Sequence, residues 1–131
     1  MQNPLSILIV DDEEELATLY KEFIIRMGYD AVSFTNPLLS FEHYKQCLDK
    51  YFLIITDLRM PGMGGIEFAN KIRELNSAVK IFLITAFDVA DIQSQWAVGT
   101  AVFDRLIQKP LKLPMLKKII EQDIIHKAEN S

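Results

Sequence analysis

Apolar residues fall along this chain in two alternating rhythms. Short, nearly unbroken runs occur at Leu5–Val10, Ala31–Phe34, Phe52–Asp57, Val79–Thr85 and Val102–Gln108. They lack strict polar alternation and read as strands buried on both faces of a parallel sheet. Between them the spacing is helical. Leu16, Leu19, Tyr20, Phe23, Ile24 and Met27 mark a first helix, with Gly28 as its C′ residue. Asn36-Pro37 forms an N-cap and first-turn pair opening a second, irregular helix that runs to about Lys50. Ile66, Phe68, Ala69, Ile72 and Leu75 mark a third. A weaker fourth spans Asp88 to Val98, with Ile92, Trp96 and Ala97 as its apolar side and Gly99 as its stop. Pro114 opens a last helix, with Leu116, Ile119, Ile120, Ile124 and Ile125 inward and Lys117, Lys118, Glu121 and Gln122 outward.

Strands that alternate with helices from end to end predict an α/β fold, a doubly wound (βα)5 unit with a parallel five-stranded sheet. Right-handed crossovers leave few topologies, and the flavodoxin-like order 2-1-3-4-5 makes the first, third and fourth strands neighbours. At 131 residues, half of them hydrophobic, the chain is long enough for one domain with a real core. A net charge of −4 with scattered Lys and Arg gives no basic patch for nucleic acid. No apolar run approaches the ~20 residues that span a bilayer. The lone Cys47 has no partner for an internal disulfide and suits a reducing cytoplasm. Cys47, among Tyr44, Leu48 and Tyr51, reads as a packing residue; His43 and His126 read as solvent-facing, and Trp96 as half-buried packing.

The chemistry gathers where the strands stop. The Phe52 run ends in Asp57, then breaks into Leu58-Arg59-Met60-Pro61-Gly62-Met63-Gly64-Gly65, so Asp57 belongs at a strand's carboxyl end, where open α/β sheets bind ligands. The Leu5 run ends in Asp11-Asp12, the Val79 run in Thr85 and the last strand in Lys109-Pro110. Glu13, Glu14 and Glu15 read as favourable charge at a helix N-terminus. In the predicted strand order, Asp11, Asp12, Asp57, Thr85 and Lys109 converge on one sheet edge. Carboxylates so crowded repel and need compensation. Their oxygens, with backbone carbonyls and water, suit Mg²⁺. A carboxylate beside Mg²⁺ and a lysine can attack a phosphoryl group, where positioning and charge neutralisation do most of the catalysis.

These residues carry a resemblance. Asp11-Asp12, Asp57 within its Pro- and Gly-rich loop, Thr85-Ala86 and Lys109-Pro110 together resemble the receiver domain of two-component response regulators, over nearly the whole chain. The resemblance implies a single receiver domain over residues 1–131 (core about 5–127) that is a phosphoacceptor switch and not a turnover enzyme. Asp57 would take a phosphoryl group from a sensor histidine kinase or phosphotransfer protein. Asp12 would bind Mg²⁺ directly, Asp11 mainly through water, and Arg59 through its backbone carbonyl. Thr85 would be the switch hydroxyl and Lys109 the phosphoryl-binding cation, with a cis Lys109–Pro110 bond. Output would pass by protein contact through the face of the fourth helix, fifth strand and last helix, without nucleic acid or membrane, in the cytoplasm and without an attached effector domain.

Two features depart from that pattern. Leu106 stands where receivers usually place Tyr or Phe, and the segment from Gly99 to Lys109 looks long; strand alternation points Phe103 to the face opposite Leu106. Arg59 and Phe87, two residues beyond Asp57 and Thr85, would border the approach of water and favour a long-lived phosphoryl group. A haloacid-dehalogenase-like phosphatase would need an aspartate at the position of Arg59. A flavin-binding protein would need a hydroxyl-rich loop after the first strand. A degenerate receiver that binds partners without phosphorylation would not need the full acidic set.

Overall fold

The computed structural model describes residues 6–86 and 102–129, with side chains described as far as Asp123. Five parallel strands, β1 (Ser6–Val10), β2 (Asp30–Phe34), β3 (Tyr51–Asp57), β4 (Lys80–Thr85) and β5 (Arg105–Gln108), lie in the order 2-1-3-4-5. Helices α1 (Glu14–Arg26), α2 (Pro37–Lys45), α3 (Gly65–Leu75) and α4 (Leu113–Glu129) connect or follow them. The predicted helix Asp88–Val98, with Trp96 and Phe87, lies outside the described residues, as do the side chains of Ile124, Ile125 and His126.

The pleat explains the layering. Ile7, Ile9, Leu53, Ile55 and Ile84 point to one face, where α1 supplies Tyr20 and Ile24 and α4 supplies Leu116, Ile119 and Ile120. Leu8, Val10, Ile54 and Ile81 point to the other, against Tyr44 of α2 and Phe68, Ala69 and Ile72 of α3. All of β3 is buried, as an unalternating apolar run requires in a doubly covered sheet. Each fully buried Ile or Leu contributes about 1.5–3 kcal/mol. One-residue slippage would exchange the faces, so register is strongly fixed.

Local chemistry sets the helix ends. Asn36 accepts from Leu38 N (2.9 Å) and Leu39 N (3.2 Å), with Pro37 opening α2. Gly28 (φ 101°) closes α1 while Tyr29 N donates to Ile24 O at 3.3 Å. Four readings need correction. Helix α2 stops at Lys45, not near Lys50, because Gln46 N and Cys47 N tighten onto His43 O and Tyr44 O, and Asn76 Nδ2 takes the Leu48 carbonyl at 3.2 Å. Leu19 of α1 is exposed, turned away from the stripe that buries Ala17, Tyr20 and Ile24. His43 is half-buried, its Nε2 2.6 Å from Tyr51 Oη; burial pushes its pKa down and that of Tyr51 up to about 12.

The fourth correction concerns β5, which begins at Arg105 and not at Val102. The Asp104 carboxylate accepts Ile81 N–H at 2.8 Å and binds Arg73 Nη2 at 2.9 Å, while Arg73 Nε donates to Val102 O at 3.0 Å. Arg73 Nη1 also donates to Val79 O. Side chains thus satisfy the Ile81 N–H and the Val102 carbonyl, while Asp104 N still donates to Ile81 O at 2.7 Å. Freed from strand geometry, Phe103 does not alternate with Leu106. Both pack on Leu58 and Leu83 beside Ile66.

Candidate functional site

Strand register builds the site. Val10 pairs with Thr56, and Asp57 pairs with Ile84, so the residues that follow, Asp11 and Thr85, flank Asp57 at the carboxyl edge. Asp11 N donates to Phe34 O (3.1 Å), Leu58 N to Ile84 O (2.8 Å) and Lys109 N to Thr85 O (2.6 Å), extending the ladders just past the strand ends. Those bonds tie the tip of β1 to β2 and the tips of β3, β4 and β5 to one another. The Lys109–Pro110 bond is cis.

The loop after Asp57 is pinned from beneath. Met60 and Met63 are buried against the α2–α3 face of the core, and Gly62 turns with φ 87°. Gly65 N donates to Leu58 O at 2.7 Å, drawing the first turn of α3 against the end of β3. A Cβ on Gly65 would collide with the backbone carbonyl of Asp57, so only glycine permits this approach.

Three acidic side chains meet there. Asp11, Asp12 and Asp57 bring carboxylate oxygens within 4.8 Å of one another, Asp11 and Asp57 buried and Asp12 exposed. Lys109 Nζ lies 3.4 Å from Asp57 Oδ2, 3.5 Å from Asp11 Oδ2 and 3.7 Å from Glu13 Oε1. Asp57 Oδ1 accepts Leu58 N–H at 3.0 Å, so both of its oxygens are oriented. Burial, then repulsion from Asp11, pushes the Asp57 carboxyl up to about 6, with Lys109 pulling back. Burial also raises Asp11, against a hydrogen bond from Glu13 N (2.9 Å) and the Lys109 charge. For Lys109 burial works downward, but Asp11, Asp57 and Glu13 overcome it and its pKa is raised.

The donor set fits Mg²⁺: hard oxygen ligands, few enough to leave water on the ion, with negative charge in excess of the single lysine between them. Thr85 is buried at the tip of β4, Arg59 is exposed two residues past Asp57, and Leu106 is half-buried opposite Leu83. Phe87 lies outside the described residues. Sequence reasoning passed over Glu13 as ordinary helix-end charge. Its place directly after Asp12 was the available signal.

A model of the response regulator receiver domain matches residues 7–121. The chain is 34% identical over 118 residues to the sensor protein EvgS of Escherichia coli K12, covering 90% of this chain and 10% of that protein. Across this and other curated relatives it spans between a tenth and a half of their length. A CheY-like receiver domain protein from Methanospirillum hungatei superposes with a TM-score of 0.86 at 20% identity, covering 98% of this chain and 99% of that one. Response regulator TrrA of Thermotoga maritima, solved in complex with Mg²⁺ and BeF, gives a TM-score of 0.73 at 30% identity, covering 89% and 96%. Among the described residues no helix is long and apolar enough to cross a membrane.

Proposed function

The chain belongs to the response regulator receiver family, and on that premise we propose that Asp57 is its phosphoacceptor, charged by a sensor histidine kinase or phosphotransfer protein. The observation that carries this reading is the Asp57 carboxylate at the tip of the central strand, fixed by Leu58 N–H on one oxygen and Lys109 on the other. With a pKa of about 6 it is mostly ionised at neutral pH and competent as a nucleophile. A carboxylate oxygen attacks phosphorus, the donor's bond to phosphorus breaks, and the donor leaves with the electron pair. Asp12, Asp57, the Arg59 carbonyl and, through water, Asp11 would hold Mg²⁺, which when bound would supply positive charge beside the transferring oxygens. Lys109 receives a phosphoryl oxygen, and Thr85 donates its hydroxyl to another.

The protein is then a switch acting in the cytoplasm, a single receiver domain over residues 1–131, consistent with the unpaired Cys47. It speaks to a protein target through the face of the predicted fourth helix, β5 and α4. Leu106, smaller than an aromatic ring and without a hydroxyl, transmits weakly, and Arg59 with Phe87 slows water's approach to the phosphoryl group. The phosphatase reading has no support, since Arg59 cannot supply the general acid. Incubation with acetyl phosphate and Mg²⁺, followed by intact mass measurement, tests the assignment. One phosphoryl addition is expected on the wild type and none on Asp57→Asn. Undiminished labelling of the variant refutes it.

A further inference from the structure

The geometry points to Glu13 as a positioning residue that competes for Lys109 and thereby slows phosphorylation of Asp57, an inference that rests on the phosphoacceptor reading above. Glu13 is the N-cap residue of α1, yet its side chain makes no capping hydrogen bond. The carboxylate lies instead 3.7 Å from Lys109 Nζ. That ammonium has three hydrogens and faces three carboxylates, those of Asp11, Asp57 and Glu13. A phosphoryl oxygen arriving at Lys109 therefore competes with carboxylates already beside it.

Burial decides which one yields. The side chains of Asp11 and Asp57 are 3% and 10% exposed and each accepts a backbone N–H, of Glu13 and of Leu58; that of Glu13 is 63% exposed. Its carboxylate can swing into water at the small cost of an exposed ion pair. Until it does, it occupies one face of Lys109 and adds a negative charge at the mouth through which an anionic phosphodonor must pass. Both effects oppose transfer. The Glu13 backbone tells against a capping explanation for any change, because its carbonyl already accepts Ala17 N at 3.0 Å and its N–H already donates to Asp11 Oδ1 at 2.9 Å, neither bond needing the side chain.

The test compares wild type, Glu13→Gln and Glu13→Asp in the full chain with Mg²⁺. The initial rate of acetyl phosphate labelling is followed by intact mass, and the affinity for beryllofluoride by fluorine NMR. Glu13→Gln should label about two- to fivefold faster at low ionic strength, the kinetic equivalent of one exposed ion pair. It should bind beryllofluoride more tightly by a similar factor. The advantage should shrink toward unity at about 0.5 M KCl, because mouth charges are screened. Glu13→Asp keeps the charge and should stay near the wild-type rate. A Glu13→Gln rate equal to or below wild type, an advantage indifferent to salt, or a Glu13→Asp rate matching Glu13→Gln overturns the role of Glu13 while leaving Asp57 as acceptor. Wild-type protein that neither labels nor binds beryllofluoride overturns the phosphoacceptor reading itself, and this inference with it.

Discussion

Neutralising Asp57 should make the protein more stable. The perturbation is Asp57→Asn, which keeps the shape of the side chain, leaves Oδ1 to accept Leu58 N–H, and leaves Lys109 with Asp11 and Glu13. The Asp57 carboxyl titrates near 6 in the folded protein against an ordinary value near 3.8. A folded-state pKa above the unfolded one means that stability is fully present below about pH 3.8 and is lost as pH rises through about 6. A shift of about two units corresponds to roughly 3 kcal/mol as an upper bound. Asp11, Asp57 and Lys109 titrate together, so part of that sum is shared, and about 1–3 kcal/mol is the expected gain. The variant has nothing to ionise at this position. Its advantage should therefore be nearly absent at about pH 4 and fully present at about pH 7.5. Urea unfolding in EDTA, followed by far-UV circular dichroism at both pH values, measures it. The melting temperature should rise by about 4 °C per kcal/mol for a domain of this size. Adding Mg²⁺ should narrow the gap, since the wild type gains a bound cation and the variant has lost a ligand. Equal stabilities at pH 7.5, or an advantage of the same size at both pH values, would refute the claim that the site stores unfavourable charge.

Asp12→Ala removes the exposed member of the acidic group and should weaken Mg²⁺ binding by at least about tenfold, as read by calorimetry, with phosphorylation of Asp57 lost in parallel. Gly65→Ala places a Cβ against the Asp57 carbonyl and the Leu58 backbone, and should destabilise by about 1–3 kcal/mol in urea unfolding while slowing Asp57 labelling.

Much of this was readable in the chain because strands buried on both faces write themselves as apolar runs, and the acids and lysine stand directly after those runs. Asn36-Pro37 and Gly28 likewise acted locally, through a cap and a left-handed residue. What escaped depended on contacts distant in sequence. No local pattern announces that Arg73 and Asp104, 31 residues apart, take up backbone groups just ahead of β5. Without that clamp, Phe103 looks like strand and alternation sends it to the wrong face. The half-buried His43 was hidden for the same reason, since its partner Tyr51 lies on another element. Glu13 was misjudged because helix-end charge explained it adequately until Lys109 was found beside it.

The arrangement also says where a signal can travel. The strand tips cannot move apart to relieve their charge, because register, the Gly65 contact and the bonds past the strand ends hold the backbone. Charge must be met by protonation or by a cation. The free parts are side chains, and Lys109 is central, since it touches Asp11, Asp57 and Glu13 and its backbone N–H is tied to Thr85. At the opposite end of β5, Arg73 and Asp104 pin the chain to α3 and to the start of β4. A strand of four residues is thus fixed below and answerable to the site above. Both ends of β5 are tied, one to α3 and β4 and the other to Thr85. Leu106 and Phe103 pack on Leu58, the residue after Asp57, and on Leu83 of β4. Leu106 therefore does not stand alone: it shares one small apolar cluster with Phe103, Ile66, Leu83 and Leu58.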